Sequence, residues 1–214
     1  MPDLMLLSLL CSKLCHDLVG PISAIGNGVE ILEDEDDPKM QKQALELLAH
    51  SAALAANRLK FMRLAFGAAG GEGVAINLTE ARQTAVDFLT DGRGVLDWPV
   101  SVDEEKLGLD KTGVKILLNL ILIANDAIPR GGVVRIDLKR GESDGRALIH
   151  AVVRSEGSGA RLADGVEVAL DIAGAADDLN PRSAPARLAA NLAATFGGSI
   201  SAMPQVDAVE LSVD

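Results

Sequence analysis

His16 is the residue of this chain best placed to do chemistry. Asp17 follows it directly, Pro21 stands five positions on, and all three lie in the run KLCHDLVGPISAI, Lys13 to Ile25. Leu4, Leu7, Cys11, Leu14, Leu18 and Ile25 recur at spacings of three, four or seven, which predicts one buried helical face. His16 is two residues from both Leu14 and Leu18, so at ~100° per residue it lies on the opposite side and faces water. An exposed imidazole is a competent nucleophile and proton carrier near neutral pH. Asp17 is placed to hydrogen-bond the ring nitrogen that does not react, and reads equally as a solvated surface acid. Inside a helix, Pro21 offers no N–H to the Asp17 carbonyl and Gly20 weakens the same turn, so the helix is expected to bend or loosen there.

The elements that must carry these residues are long helices. The first is expected from about Asp3 to Leu32. The acidic tract Glu33–Asp37 then breaks the pattern, and Pro38 suits the first turn of the next helix. That second helix runs from about Lys39 to Phe66, with Ala44, Leu47, Leu48, Ser51, Leu54, Ala55, Phe61, Met62 and Ala65 on a broad face. Glycines 67, 70, 71 and 73 end it and form a linker. Residues 1–68 therefore read as an antiparallel helical hairpin. Its apolar face is wider than a two-helix seam needs. Either a second copy covers it, giving a dimeric four-helix bundle, or the chain's own C-terminal domain does.

Residues 74–214 alternate helix and strand. Helices are predicted at Leu78–Leu89, at Lys111–Ile128 behind an Asp110 cap, and at Arg187–Phe196. Strands are predicted at Val95–Trp98, Val133–Lys139, Ala147–Arg154, Ser199–Met203 and Ala208–Val213, with a turn at Gly141–Gly145. The fold class is α+β: a helical hairpin followed by an α/β sandwich with helices on one face of a mixed sheet.

Composition narrows the function. The 214 residues carry 31 acids against 20 bases, net −11, with 2% aromatic residues and no basic run, which argues against nucleic-acid binding. Cys11 and Cys15, four apart on one helix, suit neither a zinc site nor a disulfide and read as buried thiols in a reducing cytoplasm. His50 and His150 lack an acid-and-proline context and read as a bundle-edge and a half-buried strand residue, so no metal site is expected. No export signal or membrane span is evident, and a cytoplasmic location is expected.

The run His16-Asp17-Leu18-Val19-Gly20-Pro21 resembles the H-box of two-component histidine kinases, in which a phospho-accepting histidine is followed by an acid and, at the fifth position, a proline. The longer context is similar to the ChpT-type histidine phosphotransferases of alphaproteobacteria. This likeness extends over nearly the whole chain. It is most specific at residues 13–32 and around NLILIANDAIPRGG (Asn119 to Gly132), and vague between residues 155 and 185. It implies a homodimer that relays phosphate between receiver domains, those of response regulators and of an upstream hybrid kinase. His16 would be the acceptor and Asp17 its supporting acid. Ser12, Lys13, Val19, Gly20 and Ser23, one turn either side on the exposed surface, would contact the receiver.

The C-terminal element order resembles the ATP-binding domain of histidine kinases, where N-L-L-x-N-A supplies a magnesium-binding asparagine. Here that position is Ile123, which has no oxygen for a hard cation, and Asn125 lies ~200° further round. The adenine-reading D-x-G-x-G aligns with Ser155-Glu156-Gly157-Ser158-Gly159, serine standing where the acid should. The phosphate-cradling G-x-G region reads Pro185-Ala186-Arg187-Leu188. The expectation is a sandwich that has lost ATP and carries no cofactor or metal, magnesium belonging to the partner receiver. Two rivals remain: a divergent sensor kinase core using Glu156 or Asn125, and a non-catalytic dimeric docking adaptor.

Overall fold

The computed structural model describes residues 2–67, 77–90, 94–99, 111–143, 146–174 and 178–213. The expected linker glycines 70, 71 and 73 and the Asp110 cap lie outside these residues. Helix α1 spans Pro2–Asp34 and α2 spans Pro38–Phe66, antiparallel to it. Asp37 caps α2 by accepting from the Lys39 N–H at 3.0 Å, and Pro38 occupies the first turn, where its missing N–H costs nothing. Gly28 lets the two helices approach: a Cβ there would stand 2.8 Å from Leu48 Cγ. Helix α1 runs through Pro21 without a break. The carbonyl that Pro21 cannot satisfy, that of Asp17, accepts instead from the Arg58 guanidinium of α2.

Helix α3 (Leu78–Leu89), strand β1 (Gly94–Asp97), helix α4 (Lys111–Asp126), strands β2 (Gly132–Ser143) and β3 (Arg146–Glu156), helices α5 (Val166–Leu170) and α6 (Ala184–Ala194), and strands β4 (Ile200–Gln205) and β5 (Ala208–Val213) form the remainder. The sheet order is β1-β2-β3-β5-β4, with β1 and β2 parallel and the other neighbours antiparallel, so the sheet is mixed as expected. Strand pairing continues to Ser143 opposite Arg146, so residues 141–143 belong to β2 where a turn at Gly141–Gly145 was expected; residues 144 and 145 lie outside the described ones. The short helix α5 has no counterpart in the sequence reading.

Val134, Ile136 and Leu138 alternate with outward polar residues on β2, and α4 covers the face they form. Buried residues run without interruption from Ile116 to Ala124 on α4, because sheet, α2, α3 and α6 surround it. Phe61 of α2 stacks on Phe88 of α3 with ring centroids 4.0 Å apart, and Leu6 and Leu10 of α1 meet Ala184 of α6. The hairpin thus packs on its own C-terminal layer.

Those contacts use a different face of α1 from the one the periodicity suggested. Leu4 and Leu7 are 65% and 59% exposed, Cys11 and Cys15 are exposed rather than buried, and Leu14, Leu18 and Ile25 are half-buried. Helix α1 carries two apolar stripes, one against α2 and α6 and one facing outward. By length and composition alone α1 is apolar enough to cross a membrane, with mean hydropathy 1.3 over an 18-residue window, a test that core helices of soluble proteins also pass. His50 and His150 are both exposed, the latter against the half-buried expectation.

Candidate functional site

His16 projects from α1 with its side chain 79% exposed. Its Nδ1 lies 3.1 Å from Asp17 Oδ1. An ionised carboxylate only accepts, so the contact favours a proton on Nδ1, and Nε2 has no partner among the described residues.

Asp17 is no solvated surface acid. Its side chain is 16% exposed, its Oδ2 lies 3.0 Å from Lys13 Nζ, and its main-chain carbonyl holds Arg58. Lys13 sits one turn before Asp17 on α1, the spacing at which helical side chains meet. The same ammonium lies 3.0 Å from Asp126 Oδ2 at the end of α4. Burial opposes the charge on Lys13 and is the largest influence on it. The carboxylates of Asp126 and Asp17, by charge and hydrogen bond together, outweigh that penalty and hold its pKa above the ordinary lysine value.

Ser12, Val19, Gly20 and Ser23, on the same helix as His16, are exposed. Lys13, expected on the exposed surface, is 7% exposed and its stem reaches inward to Asp126. That second partner is remote in the chain, so no local pattern reveals the burial. The spacing of Lys13 and Asp17 was a readable sign of their pairing; nothing local marks Asp126 or Arg58. Beside His16 a cleft of about 410 Å³ opens between hairpin and sandwich. His16, Asp17 and Arg58 line it on one side, Asp126, Arg161 and Arg182 on the other.

The kinase nucleotide positions are engaged in packing. Ile123 is buried in the core, and the buried Ser155 donates its Oγ to the Val209 carbonyl at 3.4 Å. Glu156 is paired with Arg154 at 2.6 Å and Arg135 at 3.7 Å. Asn119 donates to the carbonyls of Ala65 and Lys115, tying α4 to the end of α2. Pro185, Ala186 and Arg187 are buried in the first turns of α6, and Arg187 Nη2 donates to the Val168 and Gly174 carbonyls at 3.3 Å. Asn125 lines the cleft.

Comparison with known proteins gives this geometry its context. The protein phosphotransferase ChpT of Brucella abortus (strain 2308) is 40% identical over 142 residues, which are 66% of this chain and 65% of that protein. The chain thus aligns with somewhat less than two thirds of that relative's length. A solved structure of a bacterial phosphotransferase superposes with a TM-score of 0.80 at 32% identity, covering 99% of this chain and 96% of that one, hairpin and sandwich together. Residues 78–207, the greater part of the chain, match the histidine phosphotransferase C-terminal domain, and the chain belongs to that family.

Proposed function

We propose that this protein is a homodimeric, cytoplasmic histidine phosphotransferase that carries a phosphoryl group between receiver-domain aspartates through His16, without binding ATP. The observation that carries the reading is the His16 ring itself, with Nδ1 held by Asp17 and Nε2 turned to solvent. In the forward step the Nε2 lone pair attacks the phosphorus of an aspartyl phosphate, the N–P bond forms, and the P–O bond to the aspartate breaks. The leaving group departs as a carboxylate. The positive charge that develops on the ring is shared through Nδ1–H with Asp17. In the second step a carboxylate of another receiver attacks the phosphorus, the P–N bond breaks, and neutral imidazole is restored. No proton is gained or lost over the cycle. Receiver pockets supply magnesium and most of the charge stabilisation, so this chain has to present a correctly oriented ring.

Several features support the finer parts. On α1, Leu4, Leu7, Cys11, Ile22 and Val29 are exposed along one side of the helix, and Leu45 and Leu59 are exposed on α2. Such a surface suits a second hairpin and a four-helix dimer. Ser12, Val19, Gly20 and Ser23 border the ring and form the surface for a response-regulator or hybrid-kinase receiver. Loss of ATP is supported by the packing roles of Ile123, Ser155, Glu156 and Arg187.

The test is to mix the protein with a receiver domain carrying a labelled aspartyl phosphate. Acid-labile label should appear on His16 and pass to a second receiver, and His16→Ala should take up none while remaining folded. Label on His50 or His150, or undiminished labelling of His16→Ala, would overturn the assignment.

A further inference from the structure

Lys13 is not needed merely to dock the two layers. Hairpin and sandwich already meet through Leu6, Leu10 and Ala184 and through the Phe61–Phe88 stack, and a buried ammonium must recover the cost of leaving water. Its geometry has a narrower use. One ammonium nitrogen stands 3.0 Å from Asp17 Oδ2 and 3.0 Å from Asp126 Oδ2, while Asp17 Oδ1 stands 3.1 Å from His16 Nδ1. The chain Asp126–Lys13–Asp17–His16 runs without a gap from the end of α4 to the reacting ring.

We infer that Lys13 and Asp126 are positioning residues for phosphoryl transfer, fixing through the second oxygen of Asp17 the carboxylate whose first oxygen sets the His16 ring. A carboxylate held at one oxygen only can swing about its terminal torsion, which is broad and soft. Clamping the other oxygen removes that freedom, as outer partners do for ligands and catalytic bases elsewhere. The anchor on Asp126 also makes the orientation depend on the sandwich, so the ring is correctly set only while hairpin and C-terminal layer stay docked. Without Lys13, Asp17 and Asp126 become two carboxylates facing each other, and repulsion moves Asp17 off the ring.

This inference rests on the phosphotransfer reading, and two measurements separate them. The first needs no receiver: nitrogen-15 NMR of the full-length protein reads the His16 tautomer. The unmodified protein should hold the proton on Nδ1, whereas Lys13→Met and Asp126→Asn should show a mixture of both tautomers, with Lys13→Arg restoring the original state. The second is single-turnover transfer from a phosphorylated receiver. Lys13→Met should lower the maximal rate about tenfold, Asp126→Asn by a smaller factor, and neither should shift the receiver concentration at half-maximal rate more than about twofold. Asp126→Asn alters the clamp without replacing any residue of α1, so it carries the test should Lys13→Met fail to fold. Unchanged ring spectra and maximal rates in the folded variants would overturn the inference, as would an effect confined to receiver binding. An unmodified protein that accepts no phosphate, with the tautomer clamp intact, would instead refute the phosphotransfer reading.

Discussion

Arg58 of α2 donates to the main-chain carbonyl of Asp17, the acceptor that Pro21 leaves without a helical donor. The proline lies four residues after Asp17, so its missing N–H removes the bond that would close that turn. A side chain from the facing helix replaces it, and α1 continues to Asp34. A carbonyl with two lone pairs and no donor would otherwise face the hairpin seam one residue from His16.

A double-mutant cycle follows from this substitution. Arg58→Met should cost about 1–3 kcal/mol of stability and speed amide exchange around residues 17–21. Pro21→Ala restores the intrahelical donor, so Arg58→Met in that background should cost clearly less. Denaturant unfolding of the four proteins gives the coupling, and strict additivity would show that Arg58 does not stand in for the lost N–H.

Asp17→Asn should leave receiver docking nearly intact and slow phosphoryl transfer by about a hundredfold. An amide can still bond the ring but cannot support a developing imidazolium as a carboxylate does. Receiver titration by calorimetry beside single-turnover transfer distinguishes the two effects. Transfer at the unmodified rate would remove Asp17 from the mechanism.

The outward stripe should hold two chains together. Leu7→Glu or Leu59→Glu should turn a dimer into a folded monomer in sedimentation at micromolar concentration, because a charge there meets water once the partner leaves. Leu10→Glu, on the inward stripe, should unfold the hairpin, since its carboxylate would be buried unpaired.

Titration with millimolar ATP and magnesium should give no saturable heat and no rise in melting temperature. A micromolar dissociation constant would restore the kinase reading, with Asn125 in the cleft as the residue to replace next.

Lys13 gives stability an alkaline limit. Its folded-state pKa lies above the ordinary lysine value of about 10.4, so its contribution is complete below that pH and is lost as pH climbs through the folded value. Urea unfolding between roughly pH 9 and 11.5 should therefore show a steeper alkaline loss for the unmodified protein than for Lys13→Met. Parallel curves would mean that the Lys13 charge does not stabilise the docked state.

Much of this protein is written locally. His16 is exposed as the sequence suggested, but for a different reason: the stripe of Leu4, Leu7 and Cys11 that it opposes is itself exposed, and Leu6, Leu10 and Lys13 take the buried face of α1. Leu78–Leu89 and Ala208–Val213 match their expected limits, since capping residues and alternation act within a few positions. Tertiary structure decided the rest. Periodicity shows that Leu4, Leu7 and Leu18 share a face, but not whether that face meets the same chain or another. Lys13 read as a surface lysine until Asp126, 113 residues away, was brought against it. Arg58 likewise gained its role only when antiparallel packing set it opposite Asp17. Spacing along one helix determines which way a side chain points; what it meets there depends on distant segments, and no local pattern encodes that encounter.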